Sequence, residues 1–443
     1  MAYLALVPLV PPAAASAHDA SRLLQVVLLA VAALLALPGR GSGELPLPGW
    51  LRGSASGGLA LSVLAVLASP HRAASAQEFA LMAGLAGLAL QIGRAASAGA
   101  PAWAYASLLA GSGAHLALLT GVYVAALAGN SPLDARLLHL GFDNPRFFNH
   151  VQTVAVPVLL GWSVVAPSRL QRRAALAMVS LHFAWLFMDL ARASLLALAI
   201  AVPWLAWVGA ASLWRRLLLC AVGGAAIHAA LFMALPAVLG RVWTGQFASA
   251  QELGSAHSRD QLLAAAAELI HAHPWLGAGP MHFAALTHPK GAHPHNFYLQ
   301  WAAEFGLPAL LLLLPLLVLP LWRASTVLRQ SPANAPPMTA ALGAAVLAAL
   351  VDAAFSGNFV MPVSQVWIAV VYGLLLGSLP SSQRMRRPGP HRLGVALLVA
   401  LQAMLCMQAW RQWHQDPPRM SASSPTTEAE QRPRPRFWRD GWF

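Results

Sequence analysis

The stretch AHPHNFYLQWAAEFGLPALLLLL (292–314) sets two imidazoles and a carboxamide at the mouth of a run that only lipid or a deep core would welcome. Pro294 cannot sit inside a helix, so the helix is predicted to start near Asn296. A spacing of four then places Asn296, Gln300 and Glu304 on one face. That face must meet protein or a water-filled cavity, because lipid does not solvate it. His295 falls at the helix N-terminus, where free backbone N–H groups favour an anion and disfavour imidazolium. The position suits a neutral histidine beside a bound phosphate, the protonation state of a general base. The alternative is an interfacial histidine that hydrogen-bonds a neighbouring loop.

A second group lies upstream in SRDQLLAAAAELIHAHPWLGAGP (258–280). Leu262, Leu263, Ala266, Leu269 and Ile270 recur at helical spacing, and His273-Pro274 followed by Gly277 ends the pattern. Ser258 is a candidate cap, with Gln261 as its reciprocal partner. Arg259 stands at the helix start, against the dipole. A residue placed against its local preference invites a functional explanation; the alternative is a solvated arginine. His271-x-His273 and His293-x-His295 could supply zinc ligands. Against this, the loop has no cysteine and no His-Glu-x-x-His pattern.

These groups need a scaffold, and the composition says which kind. Of 443 residues, 58% are apolar and 10% charged, against about a quarter charged in soluble proteins. The apolar residues come in blocks of roughly 17–25, the length of a membrane-spanning helix, and do not alternate as barrel strands would. The expected class is all-α: a polytopic membrane protein with spans at 22–38, 57–70, 77–93, 101–128, 150–166, 174–190, 194–211, 217–239, 297–320, 339–354, 359–379 and 393–410. The net charge of +13 is read as topology and headgroup contact, with no nucleic acid as partner. Arg169, Arg172 and Arg173; Arg215 and Arg216; Arg323 and Arg329; and Arg384, Arg386, Arg387 and Arg392 fall in short loops on one side, the cytoplasmic one by the positive-inside rule. Arg192, the loop 240–296 and the turn near Gly357 then lie outside. Cys220 and Cys406 sit in apolar blocks as small core residues. The opening stretch lacks a basic leading region and makes a poor signal peptide. The chain divides into N-terminal spans (1–239), a long outer loop (240–296), C-terminal spans (297–410) and an Arg- and Pro-containing tail (411–443), expected to be partly ordered.

HPHNFYLQWAAEFGLPALLLLL resembles the His-x-His-Asn…Leu-Gln…Glu-x-Gly signature of the bacterial O-antigen ligase/polymerase superfamily. The upstream SRDQLLAAAAELIHAHPWLGAGPMHF is similar to the segment that precedes it there. DLARASLLAL (189–198) is similar to the family's outer Arg turn, and NPRFFNHVQT (144–153) and the tail's PRFW (435–438) resemble stretches in its members.

The resemblance implies a lipid-donor glycosyltransferase of the bacterial inner membrane, with its active site and long loop on the periplasmic side. The donor would be a glycan on undecaprenyl pyrophosphate. The acceptor would be lipid A-core for a ligase, a lipid-linked glycan for a polymerase, or a protein hydroxyl for an O-oligosaccharyltransferase; loop size favours the ligase. No cofactor and no metal are expected, and no Asp-x-Asp motif occurs. Carried over residue by residue, His295 matches the family's essential histidine, and Arg192 and Arg259 its two outer arginines. Neutral His295 would take the acceptor's proton. The arginines would hold the pyrophosphate by paired hydrogen bonds, and direct displacement would invert the sugar carbon. His293 is a weaker candidate than His295. Arg146 is a further phosphate or glycan contact, Asn296 and Glu304 complete the substrate-binding candidates, and Asp189 could orient Arg192 or form a structural pair. A transporter or flippase is the alternative of another class, but no internal repeat supports it.

Overall fold

The computed structural model describes residues 3–4, 7, 16–36, 49–99, 102–244, 257–286, 291–330, 336–380, 391–415 and 436–438. It is an all-helical polytopic membrane protein. In chain order the main helices are α1 (Ala17–Leu35), α2 (Gly49–Ala68), α3 (Arg72–Ser97), α4 (Ala102–Ala128), α5 (Pro145–Val165), α6 (Arg169–Met188), α7 (Arg192–Trp207), α8 (Ala211–Val238), α9 (His257–Ala272), α10 (Phe297–Phe305), α11 (Leu307–Gln330), α12 (Pro337–Asp352), α13 (Pro362–Ser378) and α14 (His391–Gln415). Eight of the described helices are long and apolar enough to cross a membrane, and α7, α12 and α13 are shorter apolar helices. With α6, whose first turn carries three arginines, they correspond one for one to the expected spans.

The difference falls at the predicted span 297–320, which is two helices. Gly306 breaks it with φ 85° and ψ 158°, a combination only glycine adopts without strain. The nine-residue α10 therefore stands apart from α11, which carries the hydrophobic length. Arg323 and Arg329 accordingly lie inside α11 and not in a loop.

The chain divides into two compact units. The first comprises Met1–Pro11, Pro101–Ser255 and Leu321–Asn358, and the second Pro12–Ala100, Ala256–Pro320 and Phe359–Phe443. In the first, α5 is the central element, with 83% of its apolar window buried, packed on α6 and α12. Its core is Val156, Leu159, Leu160, Phe183, Leu186 and Leu205 with alanines of α12. A parallel two-residue pairing, Leu133–Asp134 with Trp243–Thr244, ties two connecting segments of this unit. In the second, α13 packs on α3 through Gly373 and Gly377, where a Cβ would come within 2.4 Å of the carbonyls of Ala89 and Gly93. This small-xxx-small spacing lets the backbones touch, the packing available between helices when lipid removes the hydrophobic drive.

Candidate active site

The second unit carries His295 and Arg259. Asn296 caps α10: its Oδ1 accepts from the Leu299 N–H at 3.0 Å, satisfying one of the donors a helix start leaves open. His295, one residue earlier, has φ 53°, in the left-handed region. Its backbone N–H donates to Nδ1 of His293 at 3.2 Å, and the two rings lie 4.2 Å apart. His293 is 2% exposed, whereas His295 is half-buried. Because Nδ1 of His293 accepts, the ring carries its proton on Nε2. His293 thus holds the bend that presents its neighbour.

Arg259 is exposed in the first turn of α9. That helix begins at His257, one residue before the expected cap, which puts Ser258 inside its first turn; the Ser258 side chain lies outside the described residues. The helix packs through Leu262, Ala266 and Leu269 on Phe283 and Leu299. Arg259 shares that stripe, three and seven residues before Leu262 and Ala266. Leu262 Cδ1 lies 3.4 Å, and His295 Nε2 3.9 Å, from where a Cβ on Gly291 would stand. The first turns of α9 and the His295 bend are therefore neighbours.

The turn after α9 is zipped to the far end of α10. Ala278 N–H donates to the Ala303 carbonyl (2.8 Å), Gly279 to Glu304 (3.0 Å), and Leu307 to Pro274 (2.9 Å). A Cβ at Gly277 would stand 2.3 Å from the Glu304 carbonyl carbon. This explains the glycines of LGAGP and EFGLP in physical terms: two backbones meet with no room for a side chain.

The predicted polar face of α10 turns into protein. Glu304 is wholly buried; Oε1 accepts from the Phe283 N–H (3.3 Å) and Oε2 from Arg436 Nη2 (2.5 Å). Turned so that its amide oxygen faces the guanidinium, Gln300 accepts from Arg436 Nη2 at 2.8 Å and Nη1 at 3.0 Å. Glu304 and Asn296 therefore have jobs inside the protein: one holds a cation, the other caps a helix.

Arg192 belongs to the first unit. It is exposed at the start of α7, just after Leu190, whose φ is 49°. Arg146 Nη1 donates to the Leu190 carbonyl at 2.9 Å, so Arg146 braces this turn. Asp189 takes the second of its two expected roles, a structural pair. Its Oδ2 accepts from Asn149 Nδ2 (2.7 Å) and pairs with His139 Nε2 (3.1 Å). The other ring nitrogen of His139 donates to the Ala135 carbonyl at 2.6 Å. Burial opposes a charge on His139, but the Asp189 carboxylate and the two acceptors outweigh it and raise its pKa. Asn149 sits in the NPRFFNHVQT stretch, where Asn144 caps α5 and His150 pairs with Asp352 at 3.1 Å. This stretch thus anchors the Arg192 turn through Asn149, Arg146 and the Ser194 hydroxyl, which donates to the Asn149 carbonyl.

Among the described residues no three His, Cys, Asp or Glu side chains gather as a metal site would require. Three buried polar residues carry no role in the sequence motifs: Asn149, Arg22, which donates to the Phe437 carbonyl, and Glu78, 3.5 Å from Arg436. Their signal was a charged or amide residue at the end of an apolar span, where burial demands a partner.

Residues 153–314 match the family described as O-antigen ligase. That stretch includes Arg192, Arg259 and His295. No curated protein matches the chain.

Proposed function

From the premise that the chain belongs to the O-antigen ligase superfamily and is a membrane glycosyltransferase of that family, we propose that it transfers a glycan from undecaprenyl pyrophosphate to an acceptor hydroxyl on the periplasmic face of the inner membrane, with lipid A-core as the acceptor. The observation that carries the reading is His295 at the mouth of the capped α10, held in a left-handed bend beside the first turns of α9.

Neutral His295 removes the proton of the acceptor hydroxyl as its oxygen attacks the anomeric carbon. The bond from that carbon to the pyrophosphate oxygen breaks, and the sugar inverts. Arg259 supplies planar, paired N–H donors for the phosphates and offsets the charge that develops on departure, and Arg192, in the other unit, is a candidate of the same chemistry. The positive end of α10 disfavours imidazolium at rest, which keeps the base free. Buried Glu304 and the Asn296 cap position α10 and do not touch substrate. No metal enters this mechanism.

The test is glycan transfer from purified lipid-linked donor by the reconstituted protein. His295→Ala is expected to lose on the order of a hundredfold or more in turnover, while donor binding persists through the arginines. Wild-type turnover by this variant would remove the assignment. Surface-glycan and glycoprotein profiling of a deletion strain identifies the acceptor. Loss of capped lipid A-core supports the ligase. Lipid A-core that carries single repeats points to a polymerase, and loss of protein-linked sugar to a protein transferase.

A further inference from the structure

The tail residues Arg436, Phe437 and Trp438 are 1% exposed or less, inside the second unit. Arg436 is bound by Glu304 and Gln300 of α10 and lies 3.5 Å from Oε1 of Glu78 in α3. A second buried arginine, Arg22 of α1, holds the tail's backbone: Nε donates to the Phe437 carbonyl (3.0 Å) and Nη2 to the Arg436 carbonyl (3.1 Å). The same guanidinium reaches Gln25, Gln365 and the Val360 carbonyl, and lies 5.2 Å from the Phe437 ring. Trp438 Nε1 donates to Gln412 at the end of α14 (2.9 Å). Three residues thus tie α1, α3, α10, α13 and α14 together.

We infer that this Arg-Phe-Trp segment is a C-terminal keystone that sets the position and rotation of α10, and that Arg436 is a positioning residue for the His295 bend. The inference rests on the reading of His295 given above. With nine residues, α10 is shorter than the ~12–15 at which isolated helices become even marginal, so its pose comes from outside contacts. Arg436 grips it at two points one turn apart on one face, Gln300 and Glu304, and a two-point hold fixes rotation about the axis. The capped end of the same helix carries Asn296 and His295. The guanidinium in turn needs these partners, because a buried charge persists only when paired. The tail docks where α1 and α13 begin and α14 ends.

The test uses full-length protein in nanodiscs and reads turnover, donor KM and hydrogen–deuterium exchange together. Arg436→Gln is expected to lower kcat by on the order of tenfold or more with donor KM held, and to speed exchange in residues 291–306 more than in α2 or α6. Arg436→Lys keeps the charge on Glu304 but loses the fork, and should fall between wild type and Gln. Adding Glu304→Gln to Arg436→Gln removes the stranded carboxylate and should recover exchange protection and kcat in part; it also keeps the test readable if the single variant folds poorly. Unchanged kcat and exchange in Arg436→Gln would overturn the proposal. So would a gain in turnover, which would make the tail an inhibitory plug, or a uniform rise in exchange across the unit. If His295→Ala proved fully active, the base assignment would fall, while exchange at 291–306 would still report on the keystone.

Discussion

His293 offers the sharpest separation of positioning from chemistry. The His293 Nδ1 bond to the His295 N–H contributes about 1 kcal/mol. A left-handed φ at a non-glycine residue costs about 1–2 kcal/mol, so at His295 (φ 53°) the bond offsets much of the strain. Without it the bend relaxes toward extended backbone. A loss of about 1–1.5 kcal/mol in the productive conformer corresponds to roughly a tenfold fall in kcat. His293→Ala is therefore expected near a tenth of wild-type turnover, clearly above His295→Ala. His293→Asn should recover most of the loss, because an Asn carbonyl accepts from the N–H two residues on, as in an Asx turn. The assay is single-turnover transfer from purified lipid-linked donor in nanodiscs, with and without chelator. Equal losses for His293→Ala and His295→Ala, with chelator sensitivity, would replace positioning by a shared metal site. An Asn variant no better than Ala would refute the hydrogen-bond argument itself.

Three further outcomes are expected. Arg259→Lys keeps the charge but not the planar fork, and should lose about a hundredfold in turnover at wild-type expression; full activity would make Arg259 a solvated residue. Gly306→Ala would bring a Cβ within 2.3 Å of the Trp275 carbonyl oxygen at φ 85°, costing about 3 kcal/mol or more; an unchanged melting temperature in detergent would contradict this. His139 has a raised folded pKa, so its pairing with Asp189 contributes stability fully below its unfolded pKa of about 6.5 and loses it as pH rises through the folded value. The gap in thermal stability between wild type and His139→Asn should therefore narrow at alkaline pH, and a gap that widens would show that the pair is not charged.

Much of this architecture was legible in the sequence because block length and charge breaks are strong signals in a lipid solvent. Each of the twelve expected spans coincides with a helix, and eight of these helices are long and apolar enough to cross a membrane. The break inside 297–320 was hidden because Leu307 onward is apolar enough to mask Gly306, and only the close approach of residues 273–280 explains that glycine. The polar face of α10 was correctly expected to avoid lipid, but its partner was not named. Arg436 lies 132 residues away, and nothing in spacing or periodicity links a tail arginine to a mid-chain carboxylate. Of the two readings of Asp189, the structural pair is the one seen, but its partners could not be named for the same reason: His139 and Asn149 come from another connection, at distances in sequence that only the fold closes.

An ionisable residue within a membrane protein is reasonably suspected of chemistry, yet the distribution of exposure here argues for a division of labour. The side chains assigned to the reaction, Arg192, Arg259 and His295, are exposed or half-buried. The polar groups behind them are buried: His293 behind His295, Glu304 and Arg436 behind α10, and Asp189, His139 and Asn149 behind the Arg192 turn. A group that meets the charged pyrophosphate of a lipid-linked donor must be reachable from the membrane surface. A group that fixes geometry gains from exclusion of water, because low dielectric strengthens each of its bonds and raises the penalty for leaving one unmade. His295 and Arg192, the residues proposed for the reaction, sit two and three positions from the buried His293 and Asp189, each at a bend with a left-handed residue. Strain at His295 and at Leu190 is thus held by the interior, and the interior's polar residues are explained by the bends they hold.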